Sequence, residues 1–133
     1  MGIPQRFAAF DQPKADTQPA WLALLRLSAL ECRSAPRCAP MAACAMIDPE
    51  AGAEICAVAL ARALPGLMLR RPTFWRPGTV GRSFDEEWLK ACLDALERED
   101  AASFRFLTAR RLKPGGGATL RMLLTALRDR LTR

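Results

Sequence analysis

Ten prolines and eight glycines divide this 133-residue chain into short stretches. Proline lacks an N–H and its ring clashes with the preceding turn, so no regular helix runs far across these breaks. Between them, leucine and alanine recur at helical spacing, and no stretch alternates β-branched and polar residues as a half-buried strand does. The chain therefore reads as all-α: about five helices in an irregular or orthogonal bundle, forming one domain over residues 19–133. Residues 1–18, with Pro4, Pro13 and Asp16, read as a flexible N-terminal arm. Half of the chain is apolar and 26% charged, the balance of a folded domain rather than a disordered chain.

Pro19 opens a strongly apolar helix that carries Trp21, Leu22, Leu24, Leu25, Leu27 and Leu30 and ends near Glu31. So much apolar surface predicts a central place in the core. Pro36 and Pro40 interrupt the chain, and a short apolar turn follows at 41–47. Asp48-Pro49-Glu50 then has the chemistry of a helix start, predicting a helix to about Leu64 with Ile55, Cys56, Ala59, Leu60 and Ala63 packed inward. Ser83-Phe84-Asp85-Glu86 is a capping box. The helix it opens carries Phe84, Trp88, Leu89, Cys92, Leu93 and Leu96 as a stripe, with Glu86–Lys90 and Asp94–Arg98 as outward i, i+4 pairs. Asp100 predicts a second cap for a helix to Leu112. After Lys113-Pro114-Gly115-Gly116-Gly117, a last helix from Ala118 to about Leu131 presents Leu120, Leu123, Leu124 and Leu127 on one side. Between the second and third long helices lies a Pro/Gly-rich loop, 65–82, rich in aromatic and basic residues. Loops of that length tend to carry function or to be disordered.

The composition removes much chemistry. There is no histidine and no tyrosine, so Ser-His-Asp and Cys-His catalysis, most catalytic zinc designs and most proton shuttles are closed. The three lysines, Lys14, Lys90 and Lys113, sit in no apolar run that would depress their pKa. No catalytic residues are assigned, and the expectation is a protein without enzymatic activity or cofactor. A carboxylate site at Asp85, Glu86 or Glu87 is disfavoured because capping already accounts for those acids. Cys32, Cys38 and Cys44 are six apart, lacking the Cys-x2–4-Cys chelate of zinc sites, and Cys56 and Cys92 fall on packed helical faces. No metal is expected, although Cys32 and Cys38 lie beside Arg33 and Arg37, which favour a reactive thiolate wherever the thiols are exposed. The odd cysteine count and the lack of a secretory h-region argue against disulfides and for the cytoplasm, and no apolar run is long enough for a membrane span.

Charge is segregated. Residues 1–64 are neutral overall, 65–82 carry +4, 83–100 carry −5 and 101–133 carry +7, within a total of +6. Two groups of candidate binding residues follow. Arg70, Arg71, Phe74, Trp75 and Arg76 combine guanidinium forks, which grip carboxylate or phosphate, with aromatic faces. Arg110, Arg111, Arg121 and Arg128 supply a basic C-terminal surface. The competing reading has Phe74 and Trp75 closing one end of the core while the arginines merely solvate the surface. The glycine run before the last helix lacks the order of a P-loop, and the last two helices offer no Asn or Gln to read duplex bases. The favoured expectation is an adaptor, regulatory or accessory protein that docks on an acidic protein partner. The alternative is a protein that binds single-stranded or non-specific nucleic acid through the same residues.

Overall fold

A computed structural model describes residues 18–32 and 39–132. Of the expected arm over residues 1–18 all but Gln18 lies outside the described residues, as does Cys38. Within them, six helices form an all-α bundle: α1 Ala20–Glu31, α2 Pro40–Ala45, α3 Ala53–Leu67, α4 Phe84–Glu97, α5 Ala101–Ala109 and α6 Gly116–Leu131. None is long and apolar enough to cross a membrane.

The hub is α3 rather than α1. It packs against α1, α2 and α6, and it buries Cys56, Ala57, Ala59, Leu60, Ala63, Leu64 and Leu67. Four of those residues are small, which lets neighbouring helices approach closely on several sides. In α1 the leucines are spread around the helix, so Leu22 and Leu25 are buried while Leu27 and Leu30 remain exposed. α6 contributes Leu120, Leu123, Leu124 and Leu127 to the same core. α4 and α5 pair with each other and reach the hub through α6.

Several boundaries move from their predicted places. Asp48 builds a turn instead of capping a helix: its carboxylate accepts the Glu50 N–H at 2.9 Å and its carbonyl accepts the Ala51 N–H at 3.0 Å. α3 starts behind Gly52, leaves Ile55 exposed and runs through Pro65 to Leu67. A proline in the last turn forfeits one helical hydrogen bond, and the Met68 N–H still closes on the Leu64 carbonyl at 3.0 Å. Phe84 is 79% exposed because it sits at the first position of α4, outside the packed face formed by Trp88, Leu89, Cys92 and Leu93. Asp100 caps α5 by accepting the Ser103 N–H, but that helix stops at Ala109. Leu112 then forms an antiparallel bridge with Met68, sealed by Leu69 N–H to Arg111 C=O at 2.9 Å and Lys113 N–H to Leu67 C=O at 2.8 Å.

The exit of α4 carries a local strain. Glu99 has φ 56°, in the left-handed region. The Asp100 N–H bonds to the Ala95 carbonyl and the Glu99 N–H to the Leu96 carbonyl, the Schellman closure that normally uses glycine at this position. A side chain there costs about 1 kcal/mol. Glu99→Gly is therefore expected to raise the unfolding free energy by about 1 kcal/mol, read as a higher urea midpoint at unchanged slope.

Candidate functional site

The segment between α3 and α4 is organised by a buried ion pair. Arg26 and Glu86 are 1% and 0% exposed. Arg26 lies on the inward face of α1. The capping box brings Glu86 to the first turn of α4: the Ser83 hydroxyl accepts the Glu86 N–H at 3.1 Å and Glu86 accepts the Ser83 N–H at 2.9 Å. The guanidinium fork meets the carboxylate with two hydrogen bonds, Nε to Oε2 at 3.0 Å and Nη2 to Oε1 at 2.9 Å.

Both partners also hold the loop. Arg26 donates to the carbonyls of Thr79 at 2.9 Å and Gly81 at 2.7 Å, and Glu86 accepts the Trp75 N–H at 2.9 Å. Arg76-Pro77-Gly78-Thr79 makes the turn that presents those carbonyls: the Thr79 N–H returns to the Arg76 carbonyl at 3.1 Å, and Gly78 supplies φ 86°. Further ties come from Asp85, which accepts the Thr73 N–H, and from the Ser83 hydroxyl, which donates to the Thr73 carbonyl. Gln18 donates to the Gly81 carbonyl at 2.8 Å. The segment read as a loop is thus pinned at Thr73, Trp75, Thr79 and Gly81.

This pinned segment walls a groove of about 640 Å³. Residues 71–77 form one side. Arg26, Ala29, Leu30 and Cys32 of the α1 region and Ala61, Arg62 and Pro65 of α3 form the other. Among the described residues, no acidic residue lines it. Of the predicted loop residues, Arg71, Phe74, Trp75 and Arg76 therefore come together in one place, while Arg70 is exposed outside the groove lining. Phe74 packs half-buried on the core, and Trp75 is 38% exposed. The Trp75 ring lies over Gly81, where an added Cβ would approach it to 3.3 Å at φ 85°.

The basic C-terminal residues do not form one surface. Arg110 is exposed. Arg111 is committed within the fold, paired with Asp85 and stacked over the Phe84 and Trp88 rings at 5.0 and 4.9 Å. Arg121 and Arg128 line a second concavity of about 430 Å³ together with Glu99 and Asp100 of the −5 segment, and Arg128 pairs with Asp129 at 3.4 Å. The predicted outward pair Glu86–Lys90 is replaced by Lys90–Asp94 at 3.1 Å, because Glu86 is buried. Arg98 turns to Asp100 at 3.6 Å. Arg26, Arg62 and the burial of Glu86 were missed from the sequence; the signal for Arg26 was a lone cation among the leucines of α1.

Burial raises the Glu86 pKa, but hydrogen bonds from Arg26 and from the Ser83 and Trp75 N–H groups, with the Arg26 charge, outweigh it and hold the carboxyl below 4.5. Burial pushes the Cys92 thiol up to about 12, against the opposing charge of Arg111, so it stays protonated at neutral pH. Cys56 is likewise buried, whereas Cys32 and Cys44 are partly exposed. Among the described residues no cluster of three His, Cys, Asp or Glu side chains is arranged to hold a metal ion. No known protein family model matches the chain, and comparison with curated proteins and with solved structures finds no match either.

Removing one member of a buried ion pair strands the other, at about 3–5 kcal/mol. Glu86→Ala is expected to cost that much, measured by urea unfolding. Because the Glu86 pKa is depressed on folding, its ionised form stabilises the fold fully above the unfolded-state value near 4.5, and that contribution fades as pH falls below it. Plots of unfolding free energy against pH for wild type and Glu86→Gln are expected to converge on acidification below that value.

Proposed function

We propose that this protein is a cytoplasmic, non-enzymatic adaptor, regulatory or accessory protein that captures an acidic segment of a partner protein in the groove between residues 71–77 and helices α1 and α3. The observation that carries this reading is the lining itself: exposed Arg71 and Arg76 beside Phe74 and Trp75, over an apolar floor of Leu30, Ala61 and Pro65, with no carboxylate among the described lining residues. Arginine forks suit carboxylates, and an aromatic anchor in a pocket supplies the desolvated contact on which protein interfaces concentrate their energy. Order in the groove wall also matters. A wall already pinned by Arg26 and Glu86 loses little entropy on binding. The lack of histidine and the commitment of Asp85 and Glu86 to hydrogen bonds within the fold support a binding role over a catalytic one.

Arg71 and Arg76 supply attraction, and Trp75 supplies the anchor. Arg111 leaves the set of binding residues, since Asp85 and two aromatic rings engage it. Arg121 and Arg128, placed among acids, contribute little steering.

The test is fluorescence anisotropy with labelled acidic peptides, one favouring an extended chain and one favouring a helix, and with single-stranded RNA as the competing ligand, across a salt series. Peptide binding is expected to weaken by at least ~30-fold with Trp75→Ala, the ~2 kcal/mol of an interface hot spot, and to change less than about twofold with Arg121→Ala, as for an offset surface charge. RNA binding that persists at physiological salt and depends on Arg71 and Trp75, with neither peptide bound, replaces this reading by nucleic-acid binding.

A further inference from the structure

The wall of the groove has one edge of its main chain already paired and the other edge open. Thr73 N–H and Trp75 N–H donate to Asp85 and Glu86 at the start of α4, and the Thr73 carbonyl accepts from Ser83. Residues two apart thus turn the same way, the alternation of a β-strand. Pro72 and Pro77 reinforce it, because a residue that precedes proline is held away from the helical region. The intervening residues turn their main-chain groups to the opposite side. There, the Phe74 N–H and C=O, the Pro72 C=O and the Arg76 N–H have no hydrogen-bond partner among the described residues. The paired edge faces α4, and no α4 residue lines the groove. The open edge therefore faces the groove, in which α1 and α3 leave about 640 Å³.

We propose that the groove takes its ligand by strand addition: an extended, acidic segment of a partner protein lies along residues 72–76 and pairs with the main chain of Phe74. This rests on the docking reading above and specifies its mode. Each part of the lining has a role in such a complex. The Phe74 N–H and C=O form a pair of main-chain bonds with one ligand residue, and the Pro72 carbonyl and Arg76 N–H extend the ladder in both directions. Arg71 and Arg76, at the two ends of the wall, meet carboxylates of the ligand, and the floor of Leu30, Ala61 and Pro65 takes apolar ligand residues. Charge selects the occupant: a basic or neutral strand finds the same backbone edge but brings no carboxylate to the exposed Arg71 and Arg76. Proline at 72 suits an edge strand, where its missing N–H interrupts no ladder on the paired side.

The experiment uses the full chain and an acidic peptide of about eight residues alternating glutamate and valine, long enough at ~3.3 Å per residue to span the wall. A helix-forming peptide of equal charge is the comparison. Each backbone N–H of the extended peptide is N-methylated in turn, and amide exchange of Thr73, Phe74 and Trp75 is followed by NMR. In the free protein the Phe74 amide is expected to exchange faster than those of Thr73 and Trp75, which are bonded to carboxylates. On binding the extended peptide, Phe74 gains at least tenfold protection while its neighbours change little, and N-methylation at alternate peptide positions weakens binding at least tenfold. Preferential binding of the helical peptide, or indifference to N-methylation with Phe74 unprotected, overturns strand addition and leaves docking standing. Failure of both peptides to bind in a Trp75-dependent way overturns the two together.

Discussion

The Arg26–Glu86 pair is the interaction on which the remaining architecture depends. Two charges at 1% and 0% exposure lose their hydration on folding, a penalty of several kcal/mol per ion that only dense hydrogen bonding offsets. Here the density is present. Arg26 makes four hydrogen bonds and Glu86 accepts four, counting the two they share. The partners of those bonds belong to α1, to the turn at 79–81, to Trp75 and to the start of α4. A pair of leucines in the same place would pack, but would not specify where Thr79, Gly81 and Trp75 must lie. The pair acts on specificity of conformation more than on net stability.

A second fastening closes the other end of the wall. Arg111 reaches Asp85 and stacks on Phe84 and Trp88, while its backbone and that of Lys113 bond to Leu69 and Leu67. Trp88 in turn donates its indole N–H to the Leu107 carbonyl at 2.9 Å. The start of α4 therefore carries two adjacent carboxylates with different tasks. Glu86 looks inward to Arg26 and Trp75; Asp85 looks outward to Arg111 and Thr73. The acids that the sequence presents as ordinary helix-start chemistry are the points on which the groove wall hangs.

Local signals were legible and long-range ones were not. The capping box at Ser83 and Glu86 could be read because both halves lie within one turn, and Asp100 as a cap for the same reason. Asp48 misled because an aspartate before proline is as good at closing a turn as at capping a helix, and only the packing of α3 decides between them. Pro65 failed as a stop because one lost hydrogen bond in a final turn is outweighed by burial of Leu64 and Leu67. Phe84 and Ile55 fit an apolar period yet are exposed, since period says nothing about where the packed face begins. Arg71, Phe74, Trp75 and Arg76 share one groove wall because they are neighbours in sequence. Arg26, 60 residues from Glu86, carried no mark of its partner beyond an unexplained charge on an apolar helix. The segregated charge of residues 83–133 reads differently once Asp85 meets Arg111, Lys90 meets Asp94, Arg98 meets Asp100 and Arg128 meets Asp129: much of it is satisfied internally.

The most direct test of this account replaces the ion pair by an apolar pair of similar volume, Arg26→Met with Glu86→Leu, and measures amide hydrogen exchange along the chain. Such a swap leaves no stranded charge, so the bundle of α1, α3 and α6 is expected to keep its protection. Residues 73–83 are expected to lose theirs, with Trp75 exchanging at least tenfold faster once its carboxylate acceptor is gone. Protection of Trp75, Thr79 and Gly81 unchanged from wild type would contradict the claim that this pair sets the groove wall.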